Sequence, residues 1–214
     1  MTPSKTATRA IEELARFWGG FEFADFNKRD PWRILVSAII SHRTQDNVTY
    51  PATERLFSKW PDVRSLSLAD PDEVANVIFP AGFYKTKSQR LVQMAIFIVS
   101  QYDGKVPDSL DKLLCIKGVG RKTANLVLSL GYDIPSVVVD THVHRISNRT
   151  GWVRTQTPEE TEFELMELLP RKYWTKSNEL LVRLGQNICK PIVPKCEQCP
   201  ICPMCVTGSS VKKK

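Results

Sequence analysis

The sequence predicts an all-α protein. Apolar residues recur at helical spacing along nearly the whole chain, and no segment alternates apolar and polar side chains as a half-buried strand would. Residues 31–42 are apolar nearly all round and begin with a proline, which predicts a buried central helix. The three valines 137–139 have strand propensity, but Pro135 and Asp140 bound this short run, which is therefore predicted to be an extended connector.

The same periodicity predicts ten helices. The first is marked by Ile11, Leu14, Ala15 and Trp18, and the second is the central helix. Pro51 falls within the third, which is therefore expected to begin after this proline or to kink there. The remaining predicted helices, from the third onward, cover residues 46–59, 70–78, 86–101, 109–115, 121–130, 141–150, 158–169 and 175–188.

Composition and charge narrow the classes of protein. The 214 residues can form one domain or two small lobes, and 42% hydrophobic residues suffice for a substantial core. The longest apolar run, 34–40, is far too short to span a membrane, and the N-terminus lacks the apolar core of a signal peptide. We therefore expect no membrane partner, no export signal and a cytoplasmic location, nucleoid-associated in a prokaryote. The net charge of +7 fits either a nucleic-acid-binding surface or a soluble surface with a tail of three lysines.

The segment GVGRKTANLVL contains the first candidate site. Residues 116–120 connect two predicted helices, and Gly118 and Gly120 permit positive φ and bring backbone N–H groups close to a ligand. Such groups at a helix N-terminus bind anions, including a DNA phosphate. An ordinary helix–helix turn with a C-cap glycine explains the glycines as well. Val119 is expected to pack back into the hairpin.

Lys122 lies in the first turn of the following helix, where the macrodipole disfavours a cation. A neutral amine is favoured there, and nucleophilic Schiff-base chemistry requires a neutral amine. Lys122, Asn125 and Ser129 share a face of this helix, apart from its apolar stripe. The alternative is that Lys122 is a second phosphate-contacting residue beside Arg121, and this segment alone does not separate the two interpretations.

Asp140 directly precedes a predicted helix in the segment VVVDTHVHRISNRTGW. The position predicts an N-cap. A capping carboxylate has a fixed direction, so it can also stabilise a cationic centre or accept a proton. His142 and His144 are predicted to be packing or hydrogen-bonding groups rather than ligands.

Five of the six cysteines lie between Cys189 and Cys205. In a reducing compartment this clustering indicates a metal site rather than disulfides. The paired C-x-x-C knuckles of zinc modules are absent, and a compact all-thiolate set suits an iron–sulfur cluster better. The remote Cys115 is predicted to be a buried core residue. Two sets of four ligands fit the spacing: Cys196, Cys199 and Cys205 together with either Cys189 or Cys202.

These three features, in this order, resemble the endonuclease III family of DNA glycosylases, which has a helix–hairpin–helix, a Gly/Val/Asp loop and a C-terminal 4Fe–4S loop. The resemblance extends from the first helix to Cys205 and rests on GVGRKTANLVL, VDTHVHRISNRTGW and the C-x6-C-x2-C-x5-C spacing. It implies two helical lobes that flank a DNA-binding cleft. One lobe comprises residues 24–134 with the hairpin, and the other comprises residues 1–23 and 135–205 with the cluster. A disordered basic tail is expected at 206–214.

The resemblance also assigns roles to residues. Lys122 matches the family's nucleophilic lysine and Asp140 matches its catalytic aspartate. Relatives that excise mismatched bases without cutting the strand lack a lysine at the Lys122 position, so this lysine indicates the bifunctional branch. The 4Fe–4S ligands fall on Cys189, Cys196, Cys199 and Cys205, which makes Cys202 an extra thiol.

The activity implied by the resemblance is that of a bifunctional DNA glycosylase and AP lyase of base excision repair. It would act as a monomer on double-stranded DNA that contains damaged bases, mainly oxidised pyrimidines, or abasic sites. The damaged base is flipped out, Lys122 attacks C1′, and the resulting Schiff base permits β-elimination. Two alternatives are a monofunctional mismatch glycosylase of the same fold and a non-catalytic DNA-binding or redox-sensing iron–sulfur module.

The chain departs from the family pattern at three places. Residues 116–118 read Ile-Lys-Gly instead of Leu-Pro-Gly, and Arg43 stands where the bacterial form commonly has a glutamine that fills the gap left by the extruded base. Phe83 occupies a wedge position often held by leucine, where it either stacks on a neighbouring base or belongs to the core. The predicted DNA-binding residues are Arg43, Phe83, Lys117, Gly118, Val119, Gly120, Arg121, Lys190 and Lys195.

Overall fold

Helices are the regular elements of the structure. The computed structural model describes residues 2–19 and 30–211, and within these ranges it contains α-helices and short 3-10 turns but no strand. The predicted all-α fold is therefore confirmed for the described residues. The chain divides into two units, one formed by Met1–Ala24 with Pro135–Lys214 and the other by Asp25–Ile134. Each unit has a buried apolar core of its own.

The helices of the described residues are α1 (Pro3–Phe17), α2 (Pro31–Ser41), α3 (Asp46–Lys59), α4 (Val63–Ser67), α5 (Pro71–Ile78), α6 (Tyr84–Tyr102), α7 (Leu110–Leu114), α8 (Arg121–Gly131), α9 (Thr141–Thr150), α10 (Pro158–Leu168), α11 (Trp174–Asn187) and α12 (Val206–Val211). The 3-10 turns cover Arg171–Tyr173, Cys196–Gln198 and Cys202–Met204.

The central helix of the unit Asp25–Ile134 is α2. The Asp30 side chain accepts a hydrogen bond from Trp32 N and caps the helix, which begins with Pro31. Its apolar side chains are buried on all sides, and it packs against α3, α6 and α8. The end of α8 approaches closely, because a Cβ on Gly131 would lie 3.0 Å from the Pro31 backbone. The prediction of a buried central helix is confirmed.

Two local predictions in this unit are wrong. Helix α3 begins at Asp46 and includes Pro51, so the alternative in which the helix starts beyond this proline is wrong. Pro51 is in the second turn of the helix, where its missing N–H removes one helix hydrogen bond without ending the helix. Helix α4 is absent from the prediction, because five residues are too few to show helical periodicity. It is stabilised by a capping box between Asp62 and Ser65.

The surroundings of α7 correct one further expectation, and those of α8 show how much of its second face is buried. Cys115, at the end of α7, is exposed rather than buried, and its Sγ donates a hydrogen bond to Asp111 O at 3.2 Å. Asn125 and Ser129 are buried, so the face that they share with Lys122 is not a polar surface. Only the first turn of that face, at Lys122, is exposed.

The second unit packs α1 against α10 and α11, and α11 against α9. The run 137–139 is extended and lacks a strand assignment, as predicted, and Val137 and Val139 enter this core. The tail differs from the expectation, because residues 206–211 form α12, which packs against α9. The remaining tail residues 212–214 lie outside the described residues. In residues 2–19 and 30–211, no helix is long and apolar enough to cross a membrane.

Candidate active site

The connection between α7 and α8 is a tight hairpin. Ile116 and Val119 are buried in the core of their unit, and Val119 N donates to Ile116 O at 3.0 Å. Val119 therefore packs back into the hairpin, as predicted. Gly118 has φ 90°, the left-handed conformation that favours glycine, whereas Gly120 has φ −98° and ψ 173° and is extended. The expectation of positive φ is thus correct for Gly118 and wrong for Gly120.

The N-terminus of α8 has no side-chain cap. Its N-cap residue is Gly120, which has no side chain, whereas α2, α5, α9 and α10 are each capped by a side-chain oxygen. The first N–H groups of a helix lack partners within the helix, and they carry the positive end of the macrodipole. With Lys117, Gly118 and Gly120 exposed on the same hairpin, this end of α8 can bind an anion.

Lys122 lines a surface pocket of about 540 Å³ together with two other predicted site residues, Arg43 and Phe83. Lys122 and Arg43 are exposed, and the Phe83 ring is 62% exposed, so this aromatic residue is not part of the core. The Arg43 guanidinium lies 5.7 Å from the centre of the Phe83 ring. The structure thus brings together three residues that are far apart in the sequence. The pocket is completed by Ser41, His42, Thr86, Lys87 and Arg90.

The pocket is strongly electropositive. Among the described residues, its lining includes lysines and arginines but no carboxylate. The effect is visible on His42, whose pKa is lowered by burial and by the nearby charges of Lys122, Lys87 and Arg90. Such a concentration of positive charge attracts a polyanion such as the DNA backbone. The sequence did not indicate His42, Lys87 or Arg90, because isolated basic residues in a helix or loop carry no motif.

Asp140 belongs to the other unit, where it is the N-cap of α9, as predicted. Its Oδ1 atom accepts hydrogen bonds from His142 N at 2.9 Å and from Val143 N at 2.8 Å. Both capping bonds therefore use a single carboxylate oxygen. His142 and His144 form hydrogen bonds within this unit, to Arg145 and Thr161 respectively.

The clustered cysteines line one cavity in the same unit as Asp140. Among the described residues, no three His, Cys, Asp or Glu side chains are arranged to hold a single metal ion. The cysteines line a shared space, and such an arrangement suits a multi-iron cluster because its thiolates bind different irons. Burial raises the pKa of the Cys199 thiol to about 11. The cysteines that line the cavity are Cys189, Cys196, Cys199, Cys202 and Cys205.

Hydrogen bonds distinguish these thiols. Cys205 Sγ accepts from Gly208 N at 3.3 Å, Cys189 Sγ accepts from Arg149 Nη1 at 3.5 Å, and the Ile201 backbone N–H bonds to Cys199. Within the described part of the chain, Cys202 Sγ accepts no such bond, and it lies only 2.9 Å from where a Cβ on Gly208 would stand. Donors to sulfur are typical of iron–sulfur ligands, so these contacts favour the set that contains Cys189.

The loop between Cys189 and Cys196 is held by hydrogen bonds of its own. Lys195 N donates to Ile188 O at 2.9 Å, and Arg149 Nη1 donates to Lys190 O at 2.7 Å. Lys190 and Lys195 are exposed at the two ends of this loop. Arg149, which reaches the loop from the last turn of α9, was not predicted from the sequence.

The chain and its fold match one family of known proteins. Residues 36–171, which include α8 and Asp140, match the model of the HhH-GPD superfamily base excision DNA repair protein. The chain is 46% identical to endonuclease III of Thermotoga maritima over 88% of its length and 89% of that protein. It is 34% identical to endonuclease III of Synechocystis over 95% of its length and 93% of that protein.

A eukaryotic relative and two solved structures agree with these matches. The chain is 39% identical to endonuclease III-like protein 1 of Mus musculus, of which it spans 59%. The solved structure of a non-covalent endonuclease III–DNA complex superposes with a TM-score of 0.90 at 28% identity. The match covers 100% of both protein chains. The structure of a trapped endonuclease III–DNA covalent intermediate superposes with a TM-score of 0.89 at 28% identity. The match covers 99% of this chain and 100% of that one. The chain belongs to the endonuclease III family, and it is a base excision repair DNA glycosylase/AP lyase.

Proposed function

We propose that the protein is a bifunctional glycosylase/AP lyase for oxidised pyrimidines in duplex DNA, with Lys122 as its nucleophile. The observation that carries this proposal is the position of Lys122, which is exposed in a pocket lined by cations and stands in the first turn of an uncapped helix. A solved relative with a TM-score of 0.89 is a trapped covalent intermediate with DNA. A covalent step at a lysine of this chain agrees with that relationship.

In the proposed reaction, the duplex is bound through its phosphates and the damaged nucleotide is flipped out of the stack. The Lys122 amine attacks C1′ as the bond from C1′ to the base breaks, and the base leaves with the bonding electrons and takes up a proton. Loss of the amine proton and ring opening give a Schiff base. Removal of a proton from C2′ then expels the 3′ phosphate by β-elimination, and water hydrolyses the Schiff base and releases Lys122.

Asp140 is proposed to supply a negative charge to this reaction. Its Oδ1 atom is occupied by the two capping hydrogen bonds, which leave Oδ2 to accept a proton or to stabilise the cationic sugar. The cap fixes the orientation of the carboxylate through the backbone of α9. The second oxygen therefore has a fixed direction relative to α9.

DNA binding is proposed to use three surfaces. Gly118, Gly120 and the N-terminus of α8 hold a phosphate through backbone N–H groups, assisted by the packing of Val119 and by the nearby basic side chains. Arg43 and Phe83 enter the duplex beside the flipped nucleotide. There the guanidinium can fill the gap left by the extruded base, and the aromatic ring can stack on a neighbouring base. The basic side chains that contact phosphates are Lys117, Arg121, Lys190 and Lys195.

The proposed cofactor is a 4Fe–4S cluster held by Cys189, Cys196, Cys199 and Cys205. The cavity that these thiols share and the N–H donors to three of them support this assignment. When bound, the cluster supplies iron–thiolate bonds that cross-link the segment from the end of α11 to the start of α12. The cysteines thereby fix the loop that carries Lys190 and Lys195, and they take no part in base removal.

The test uses duplexes that contain one oxidised pyrimidine or one abasic site, with borohydride present or absent. The wild type is expected to release the base in multiple turnovers, to nick the strand and to form a reducible covalent adduct. Lys122→Gln should abolish nicking and the adduct while duplex affinity changes little, and Lys112→Gln, an exposed lysine of α7, serves as the matched control. Base release without an adduct would instead establish a monofunctional glycosylase, and DNA binding without base release would establish a non-catalytic module.

A further inference from the structure

A buried ammonium group lies at the back of the Lys122 pocket. Lys87 is only 5% exposed, although it belongs to the first turn of α6. Its Nζ donates to the carbonyl oxygens of Ile40 and His42 at 2.6 Å each and to Thr44 Oγ1 at 2.8 Å. An ammonium group has three donors, and here all three are used.

Within residues 2–19 and 30–211, the contacts of Lys87 include no counter-charge. Its partners are neutral oxygens, and burial together with repulsion from Arg90 lowers its pKa to about 8. A buried cation without an anionic partner costs stability, and apolar groups can often replace buried charges without loss. The placement therefore favours a functional role for these contacts over a purely stabilising one.

The acceptors of Lys87 bracket Arg43. His42 O and Thr44 Oγ1 belong to the residues on either side of it, and Ile40 O lies at the C-terminal end of α2, where the macrodipole favours a cation. Arg43 itself has φ 53°. A non-glycine residue adopts this left-handed conformation at a cost, so it requires surrounding contacts that hold it.

The same network reaches Phe83, which also has a left-handed backbone with φ 57°. Lys87 N donates to Phe83 O at 3.0 Å, and Thr44 Oγ1 accepts from Gly82 N at 3.1 Å. A Cβ on Gly82 would lie 2.6 Å from Arg43 O, so the two loops approach as closely as a glycine allows. One lysine thus joins the two loops that carry Arg43 and Phe83.

We propose that Lys87 is a positioning residue that holds Arg43 and Phe83 in the left-handed conformations in which both line the Lys122 pocket. The inference rests on the proposed function, in which these two side chains enter the duplex beside the flipped nucleotide. Lys87 then governs extrusion of the damaged base, whereas the chemistry belongs to Lys122. A role for Lys87 as the nucleophile is disfavoured by its burial and by the engagement of all three of its donors.

Two substrates separate extrusion from chemistry. Base excision is measured in single turnover on a duplex with one oxidised pyrimidine, and strand cleavage is measured on a duplex with a preformed abasic site, which has no base to extrude. Lys87→Met should slow base excision roughly tenfold or more but slow cleavage at the abasic site less than about threefold, because the lost hydrogen bonds act on extrusion. Lys85→Met, an exposed lysine in the same turn of α6, should leave both rates unchanged.

A second pair of variants tests the same network if Lys87→Met does not fold. Thr44→Ser keeps the hydroxyl that joins Lys87 to Gly82, and Thr44→Val keeps the shape without it. Thr44→Val should slow base excision selectively, whereas Thr44→Ser should retain the wild-type rates. Equal rates of base excision in Thr44→Val and Thr44→Ser would overturn the role of Lys87. So would a Lys87→Met variant that slows base excision and abasic-site cleavage by the same factor. A wild type inactive on both substrates would instead refute the proposed function.

Discussion

At the scale of single residues, Asp140 is the N-cap of α9, and the proposed mechanism gives its carboxylate a second task. One carboxylate oxygen accepts both capping hydrogen bonds of α9, from His142 N and Val143 N, and the other remains for a charge-dependent role. An asparagine retains an oxygen for the cap but has no charge, whereas an alanine loses both. The pair of variants can therefore distinguish the structural role from the catalytic one.

We expect Asp140→Asn to leave the free energy of unfolding within about 0.5 kcal/mol of the wild type, because asparagine and aspartate are comparable N-caps. Base release should nevertheless fall roughly 100-fold, as for loss of a group that handles protons. Asp140→Ala should lose the same activity and also about 1 kcal/mol of stability. Urea unfolding and single-turnover rates on the same samples provide the check. A fully active Asp140→Asn would remove the charge from the mechanism.

The residues of the pocket show how far the sequence could predict the site. Lys122 was singled out by its position in the first turn of a helix that follows a glycine-containing hairpin, but its role as nucleophile came only from the family resemblance and stays a prediction. Arg43 and Phe83 were indicated only through the family resemblance, and neither their left-handed backbones nor their common pocket could be read from spacing. Lys87 was not predicted at all. Two of its three acceptors are backbone oxygens more than 40 positions away, and backbone acceptors leave no trace in residue types.

At the scale of elements, the hairpin before α8 contains two glycines with different requirements. Gly118 has φ 90°, and a Cβ there would also lie 2.7 Å from the Arg90 side chain. Gly120 is extended, and a Cβ there meets no atom within 4 Å. In the free protein, therefore, only Gly118 needs to be a glycine. Any requirement at Gly120 must come from a ligand that approaches the backbone.

We expect Gly118→Ala to lower the free energy of unfolding by about 1 kcal/mol, because alanine is strained at positive φ. Gly120→Ala should change stability by less than about 0.5 kcal/mol, as is typical of a surface substitution. It should still weaken binding to every duplex alike, because the added methyl group would stand between the N–H groups and a phosphate. Thermal unfolding and duplex affinity are measured in parallel. If Gly120→Ala bound DNA as tightly as the wild type, the hairpin would not be the phosphate clamp.

The elements themselves were largely predictable where the apolar pattern is long. The predicted ranges 46–59 and 141–150 coincide with α3 and α9, and the buried α2 was evident from its composition. The short α4 and α12 were missed, since five or six residues contain too little periodicity and depend on capping and packing for their stability. Cys115 was assigned to the core from its neighbours, but its position at the end of α7 exposes it.

At the scale of the whole molecule, the iron–sulfur proposal makes different demands on Cys189 and Cys202. Cys189 Sγ accepts a hydrogen bond from Arg149, whereas Cys202 is buried against Gly208. We expect Cys202→Ser to retain about four irons per chain and normal DNA affinity, since four other thiolates remain for the cluster. Cys189→Ser should lose the cluster or bind it weakly. Iron content and the visible absorbance of the purified variants provide the measurement.

The effect of cluster loss on DNA binding depends on the loop between Cys189 and Cys196, which carries Lys190 and Lys195. Arg149 and the bond from Lys195 N to Ile188 O close this loop without the cluster, so loss of the cluster should weaken duplex affinity rather than abolish it. In the reverse outcome, Cys202 is essential for iron binding and Cys189 is dispensable. The ligands would then be Cys196, Cys199, Cys202 and Cys205. The assignment of Lys122 would be unaffected, because this lysine belongs to the other unit.

The central claim is that Lys122 is the residue that becomes covalently attached to DNA. The pocket contains two lysines, Lys122 and Lys87, so formation of an adduct alone does not identify the nucleophile. The most direct measurement is to trap the wild-type protein on an abasic-site duplex with borohydride, to digest the complex and to locate the modified residue by mass spectrometry. The account predicts that the reduced sugar is attached to Lys122. Attachment to Lys87, or to any other amine while Lys122 remains unmodified, would contradict it.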